Sequence, residues 1–421
     1  MAERDLDVVV FGATGVTGRR VTAYLAERAV ETGAHWAAAA RDATKLDRVL
    51  DEDGVSAPET IVADLDDPAS LAAMASRARV VLNLVGPYTL YGRPVIEACV
   101  AAGAHYADLT GEIPFVREMI DAFDGRATQA GIKLVQVCGF ESLPPDLAVR
   151  LAAETAHDRW GEDLAEADLE VSVKAPPGLP RPSDIISGGT AQSLAAAASS
   201  KDASAVTDPA ALITDPATVE EVRRRSPISV MPRRSGDAVI APMAPAAFIN
   251  PAVIQRTAAL LAAESGARTE PFRYREGVAL GGAAASLPLR YAMAGALSGA
   301  QAALAGVARA RPSVRRHVSG ALSAILPSSG FGPAADRMEG WRWRMSVKAR
   351  TAQGREVGVE VDADGHPGYL ATARMLGEAG LLFAEPDATP ERAGCLTPAT
   401  ALGTACVERF DRARVRFSVS R

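Results

Sequence analysis

Three glycines, at positions 12, 15 and 18 of the stretch Phe11-Gly-Ala-Thr-Gly-Val-Thr-Gly18, are the first residues whose spacing suggests chemistry. They follow an apolar run, Asp7-Val-Val-Val10, and precede a helix-forming stretch. In that context a glycine turn holds the pyrophosphate of a dinucleotide. Gly12 permits the tight turn, Gly15 lets the backbone approach the phosphates, and Gly18 lets helix and strand pack closely. The backbone of Ala13, Thr14, Val16 and Thr17 completes the turn, with unpaired amides and the helix dipole favouring an anion.

The nucleotide is read further on. An acid at the end of the second strand would bind the ribose hydroxyls of NAD. Here the chain reads Ala38-Ala-Ala-Arg41-Asp42-Ala-Thr-Lys45. The guanidinium fork of Arg41 suits a 2′-phosphate and Lys45 could assist from the next turn, whereas Asp42 falls where a helix cap belongs. NADPH is therefore expected in preference to NADH. Asp64, after the third strand, is expected beside the adenine, with a plain turn role as the alternative. After the fourth strand comes Asn83-Leu-Val85-Gly86-Pro87-Tyr88. Loops at the carboxyl ends of parallel strands line the ligand crevice. Asn83, Val85, Gly86 and Pro87 are thus expected along the nicotinamide ribose, and Tyr88 at the reacting carbon.

The elements that must position these groups alternate in type. Asp7–Phe11, His35–Ala40, Glu59–Ala63, Val80–Val85, Ala104–Leu109 and Ile132–Cys138 read as strands. Between them lie helices over Thr17 to about Val30, Asp67–Arg77 (opened by an Asp-Pro cap) and Pro94–Ala102, then a longer helical stretch interrupted at Asp124-Gly125. This rhythm predicts an α/β fold: a parallel Rossmann sheet over residues 1–150, covered on both faces. A second, α+β domain is expected over 151–384, with neighbouring antiparallel strands at Trp341–Ala349 and Glu356–Val361 and an irregular, Pro-, Ala- and Arg-rich stretch at 201–275. Residues 385–421, with a Pro-initiated helix and a closing strand Val415–Val419, are expected to return to the first domain.

Composition excludes several classes. A net charge of −6 gives nucleic acid no place as the main partner. The four cysteines (Cys99, Cys138, Cys395, Cys406) form no CxxC pair and no zinc-like spacing with the five histidines, so no metal is expected. The charged opening MAERDLD runs straight into a strand and leads us to expect a cytoplasmic protein. Within an Ala/Gly-rich helical insertion at about 277–325, Tyr291–Ala308 carries no charge and is flanked by arginines. It reads first as a packed helical cover, then as an interfacial helix giving peripheral membrane contact, and last as a span, because Ala, Gly, Ser and Gln transfer poorly into lipid.

GATGVTG, NLVGPYTLYG, CVAAGAHYADLTGE (99–112), GFESLPPDL (139–147), SGGT (187–190) and CLTPATALG (395–403) occur in this order. Together they resemble the saccharopine-dehydrogenase-like oxidoreductases, and among them the trans-acting enoyl reductases of polyketide-lipid biosynthesis. The resemblance spans nearly the whole chain and is weakest at 200–335. It implies NADPH, an N-terminal Rossmann domain, a mixed second domain and a C-terminal segment packed back on the first. It also implies an acyl or polyketide-lipid substrate delivered by a synthase or carrier protein; a mixed second sheet would suit a homodimer.

Enoyl reduction needs a hydride at the β-carbon, polarisation of the thioester carbonyl and a proton at the α-carbon. Tyr88, Tyr91 and Tyr106 are the candidate donors, and Asp108, Glu112 and Glu141 the candidate orienting carboxylates; Tyr88, Tyr106 and Asp108 are the preferred catalytic set. Cys138 reads as a buried apolar residue. Three alternatives stay open: a reductase of another lipid-like or isoprenoid substrate, a nucleotide-binding lipid-surface protein without turnover, and a saccharopine-type amino-acid dehydrogenase. The last would need a basic cluster, and the motifs offer only Arg93 and Arg117.

Overall fold

The computed structural model describes residues 4–178, 181, 193, 202–243, 245–267, 270–280, 286–325 and 332–420. The SGGT stretch at 187–190 lies outside the described residues. The chain begins β1 (Leu6–Phe11), α1 (Val16–Thr32), β2 (Trp36–Ala40), α2 (Ala43–Asp53), β3 (Glu59–Val62), α3 (Pro68–Arg77), β4 (Ala78–Asn83), α4 (Tyr88–Ala102), β5 (His105–Asp108), α5 (Ile113–Gln129), β6 (Lys133–Val135) and α6 (Leu143–Trp160). Strands β1 to β6 are parallel in the order β3-β2-β1-β4-β5-β6, so the order reverses between β1 and β4. That reversal opens a crevice at the carboxyl ends of the strands.

Local chemistry sets most boundaries. Asp42 and Asp67 cap α2 and α3 through their side chains, accepting from the amides of Lys45 and Ala69. Gly33, Gly54 and Gly103 end α1, α2 and α4 in the left-handed conformation that glycine adopts without strain. Two expectations are corrected. Helix α4 starts at Tyr88 and runs through Pro94. Its first turn is held from outside, because the Glu112 carboxylate accepts from the amides of both Tyr88 (2.9 Å) and Thr89 (2.8 Å). Helix α5 is unbroken at Asp124-Gly125. A mid-helix glycine costs about 1 kcal/mol, whereas burying Phe123 against the sheet contributes about 1.5–3 kcal/mol.

The second sheet contains β7 (Leu164–Lys174), β8 (Arg233–Ser235), β9 (Ala238–Ala241), β10 (Arg273–Leu280), β11 (Arg342–Thr351), β12 (Glu356–Asp364) and β14 (Val415–Val419), in the order β14-β12-β11-β7-β10-β9-β8. It is antiparallel except where β10 runs parallel to β7. The expected antiparallel neighbours are β11 and β12, in register from Arg342↔Asp364 to Arg350↔Glu356. Along them apolar side chains alternate with charged ones. Trp343, Met345 and Val347 face the core, while Arg344 pairs with Asp362 (2.7 Å) and Lys348 with Glu170 (3.1 Å).

The remaining helices are α7 (Pro216–Arg225), α8 (Ala246–Glu264), α9 (Leu287–Arg309), α10 (Pro312–Ile325), α11 (Thr372–Ala384) and α12 (Pro398–Leu402). Residues 201–275, read from sequence as irregular, contain α7 and α8, and α8 is buried over 246–257. One core runs through both sheets: Leu147, Ala148 and Ala152 of α6 and Met375, Leu376 and Ala379 of α11 join residues of β1 and β4 to residues of β7, β11 and β12. The C-terminal segment divides. Strand β13 (Gly394–Leu396) pairs with β6 at the edge of the first sheet. The closing strand β14 does not return there, as had been expected, but pairs with β12.

Candidate functional site

The glycine turn sits where β1 meets α1, over the crevice. The amides of Gly12 and Ala13 donate to Ala39 O (3.0 and 3.2 Å), which ties the turn to β2. A side chain at Gly12 (φ +92°) would lie 2.9 Å from Val85 Cγ2 and 3.0 Å from the Leu84 carbonyl carbon. A side chain at Gly18 would lie 2.2 Å from Gly12 O. A side chain at Gly15 would meet nothing nearer than Gly12 O at 3.4 Å, and Gly15 is exposed at the mouth of the turn. Gly12 and Gly18 thus serve internal packing, while Gly15 leaves open the space a phosphate would take. The amides of Val16, Thr17 and Gly18 lie in the first turn of α1, where no preceding helical carbonyl reaches them. The cradle fits a dinucleotide.

Arg41 and Lys45 are exposed just beyond β2, and neither has an ion-pair partner among the described residues. Asp42 Oδ1 accepts from the Lys45 amide at 2.9 Å, so its carboxylate is committed to the cap. Asp64 is half-buried, and its Oδ1 accepts from the Asp66 amide at 3.0 Å within a turn beside β3.

The Asn83–Tyr88 loop forms one wall with the cradle, since Leu84 and Val85 pack against Gly12. Val85, Gly86 and Pro87 are half-buried, and the Val85 amide donates to Asn83 Oδ1 (3.0 Å). Behind them Tyr88, Tyr106 and Asp108 come together in a buried network. Asn83 Nδ2 donates to Tyr106 Oη (3.0 Å), and Tyr106 Oη donates to Asp108 Oδ2 (2.8 Å). Asp108 Oδ1 accepts from the amides of Thr110 (3.0 Å) and Val137 (3.3 Å). Tyr88 Oη donates to Asn83 O (3.1 Å) and accepts from the Leu109 amide (3.3 Å). Burial pushes both phenols well above their ordinary range and the Asp108 carboxyl up to about 7. Burial raises the Cys138 thiol in the same way, which leaves it unreactive.

Glu112 and Glu141 separate in role. Glu112 is consumed by the first turn of α4, and it also accepts from Thr89 Oγ1 and from Ser193 Oγ (2.7 Å). Glu141 follows β6 at the crevice end. One of its carboxyl oxygens and the Thr372 methyl group each lie 3.4 Å from the point a Gly139 side chain would occupy, with Leu109 at 3.3 Å. Burial raises the Glu141 pKa, partly offset by a hydrogen bond to its own backbone. Arg93 pairs with Glu97 and Glu118, and Arg117 with Asp121 and the carbonyls of Ala211 and Ile213.

Sequence reasoning missed the turn His366–Ala371. Its π-helical part, Pro367–Ala371, packs on α1, and Tyr369 Oη and Val16 Cγ1 lie 3.2 and 3.0 Å from the point a Gly332 side chain would occupy. His366 lies between Trp341 and Tyr369, tilted to the first ring and edge-on to the second, at centroid distances of 4.6 and 5.0 Å. The Gly-His-Pro-Gly run at 365–368 was the available signal.

A doubly wound sheet, a glycine cradle at its switch point and an open cation after β2 define an NADP-dependent oxidoreductase. Residues 8–135 match the family model described as saccharopine dehydrogenase NADP binding domain. Proteins named trans-acting enoyl reductase are 34% identical in Mycobacterium ulcerans (100% of this chain, 99% of that protein) and 32% identical in Mycobacterium leprae (100% and 99%). The fold is similar to that of saccharopine dehydrogenase (L-Glu forming) from Saccharomyces cerevisiae, with TM-score 0.52 and 13% identity, covering 98% of this chain and 99% of that one. The chain belongs to the saccharopine-dehydrogenase-like oxidoreductases, within the group of the trans-acting enoyl reductases, and its cofactor is NADPH.

Proposed function

We propose that the protein reduces an α,β-unsaturated acyl chain presented by a separate synthase or carrier. The observation that supports this reading is the continuous wall from the glycine cradle through Leu84 and Val85 to Tyr88, along which a dinucleotide would lie at the carboxyl ends of β1 and β4. When bound, NADPH supplies a hydride. Arg41 and Lys45 hold the 2′-phosphate, the first turn of α1 holds the pyrophosphate, and Asn83, Val85, Gly86 and Pro87 flank the nicotinamide ribose. Asp64 stays with its turn beside the adenine end.

Tyr88, Tyr106 and Asp108 act by position. The single proton of the Tyr88 hydroxyl is committed to Asn83 O, and that of Tyr106 to Asp108. Glu141 has no second side chain holding its carboxyl among the described residues, and burial favours its protonated form. It is the group suited to give the α-carbon its proton. The engagement of Arg93 and Arg117 with acids and carbonyls disfavours a dicarboxylic amino acid as substrate.

Loss of nicotinamide fluorescence on adding an unsaturated acyl thioester tests the reaction; no oxidation across acyl, keto and amino-acid substrates would refute it. Glu141→Gln is expected to lower kcat at least tenfold with NADPH affinity unchanged. Tyr88→Phe should instead shift KM and stability, and a selective loss of kcat in Tyr88→Phe would restore the phenol as donor.

A further inference from the structure

Helix α9 is packed inside out. The face it buries against β9 and the turn Ala203–Thr207 carries small or polar residues, Ala294, Ser298, Gln301, Ala305 and Ala308. Large apolar side chains in its first half lie off that face: Leu289, Met293 and Leu297 are 51%, 47% and 42% exposed, while Leu304 and Val307 further on are half-buried. These three recur at i, i+4 and i+8 and form a single stripe, opposite to the pattern of a helix on a water-facing surface. Tyr291 (42%) and, on α10, Val314 (47%) extend the apolar exposure.

The charge around the stripe is one-sided. No Asp or Glu occurs from Gly277 to Ala335, in a chain of net charge −6, while Arg290, Arg309, Arg311, Arg315 and Arg316 fall in this interval. Arg309, Arg311 and Arg316 are exposed and have no ion-pair partner among the described residues. A second copy of the chain would bring no acid from this interval to meet them. An anionic bilayer supplies both complements, hydrocarbon for the stripe and phosphate for the arginines.

We propose that α9 and the start of α10 dock the protein on an anionic membrane surface, with α9 lying in the headgroup plane, Leu289, Met293 and Leu297 inserted, and Arg309, Arg311 and Arg316 against the phosphates. This placement is independent of the enoyl reductase reading.

The full-length protein should sediment with phosphatidylcholine vesicles containing phosphatidylglycerol, stay in solution with phosphatidylcholine alone, and be released when salt rises from about 0.1 M to about 1 M, where screening is nearly complete. The double variant Leu289→Glu/Met293→Glu should lose binding. Arg309→Gln/Arg316→Gln should lower the partition coefficient roughly 25-fold, taking about fivefold per charge. NADPH titration is expected to be unchanged in both variants, which shows that they are folded. The proposal is overturned if the wild type ignores anionic vesicles, or if the arginine variant binds as tightly as wild type. It is also overturned if an acidic carrier domain binds these residues while vesicles do not.

Discussion

The three glycines of the cradle have different neighbours, so the same added methyl group should act differently at each. At Gly18 the new Cβ would sit 2.2 Å from Gly12 O and 3.0 Å from Ala13 Cα. Both are backbone atoms and cannot rotate away. Overpacking of this kind costs typically 1–3 kcal/mol, and a clash with fixed backbone atoms puts Gly18→Ala at about 3 kcal/mol. At Gly15 the backbone is extended (φ −80°, ψ 164°), and the nearest protein atom would be 3.4 Å away. Alanine fits there without strain and restricts the unfolded chain, so Gly15→Ala should leave the free protein as stable as wild type or more stable by about 0.4–1 kcal/mol.

Cofactor affinity should reverse that order of severity for Gly15. A methyl group there occupies the space through which the phosphates approach the amides of α1. Losing one charge-assisted hydrogen bond, about 1.5–3 kcal/mol, weakens NADPH by roughly 10- to 150-fold. The assay pairs a urea denaturation curve without cofactor with a fluorescence titration of NADPH on each variant. A Gly15→Ala protein that binds NADPH like wild type would refute the assignment of that space to the pyrophosphate. One that binds poorly because it is unstable would refute the separation of the two roles.

Three other outcomes follow from single contacts. Arg41→Ala should weaken NADPH about 10-fold or more while leaving NADH within about twofold, since the guanidinium addresses only the 2′-phosphate; equal weakening in titrations of both cofactors would contradict it. Glu378 is fully buried and accepts from Tyr24 Oη (2.6 Å), Arg28 Nε (3.2 Å) and Arg409 Nε (3.2 Å); Arg28 keeps Glu31 and Arg409 keeps Glu385 when it is removed, so Glu378→Ala chiefly strands the Tyr24 hydroxyl and should cost about 1–3 kcal/mol in urea denaturation, with a loss under about 0.5 kcal/mol speaking against it. Burial holds Asp108 and Glu276 up to about 7 and Asp146 up to about 6, above their unfolded values, so the folded state binds more protons and their contribution falls as pH rises from about 4 to about 7. His105, pushed down to about 4, works in the opposite sense below about pH 6, so the decline in Tm should be clearest between about pH 6 and pH 7.5. Glu276→Gln, keeping the oxygen that accepts from Tyr274 and Asn250, should flatten it; an unchanged slope would show that Glu276 does not titrate there.

The first 140 residues were legible because their signals are local: apolar runs for β1 and β4, Asp caps for α2 and α3, glycine spacing for the cradle. What escaped was set from a distance. The start of α4 depends on Glu112, which lies 24 residues beyond Tyr88. Strand β13 has three residues and is a strand only because β6 offers an edge. The expected donor Tyr88 illustrates the same limit. Its position beside the crevice followed from the sheet, but whether its proton is available depends on Asn83 O and the Leu109 amide, which no spacing announces.

The second sheet does more than carry a separate domain. Helix α6, which begins directly after Glu141 and Ser142, lies between the two sheets, and its Asp146 accepts from Thr257 Oγ1 on α8 (2.6 Å) and from the Ala399 amide of the C-terminal segment (2.8 Å). Ser142 donates to Asn250 Oδ1 (2.7 Å), and Asn250 donates to Glu276 on β10 (2.7 Å). The turn that presents Glu141 is therefore braced by the second sheet, while the cradle belongs to the first. On the proposed reading, hydride delivery and proton delivery would be held by different parts of the fold. Cofactor choice could be read from a short motif, whereas the bracing of the Glu141 turn comes from contacts between segments more than 100 residues apart, which no local motif reports.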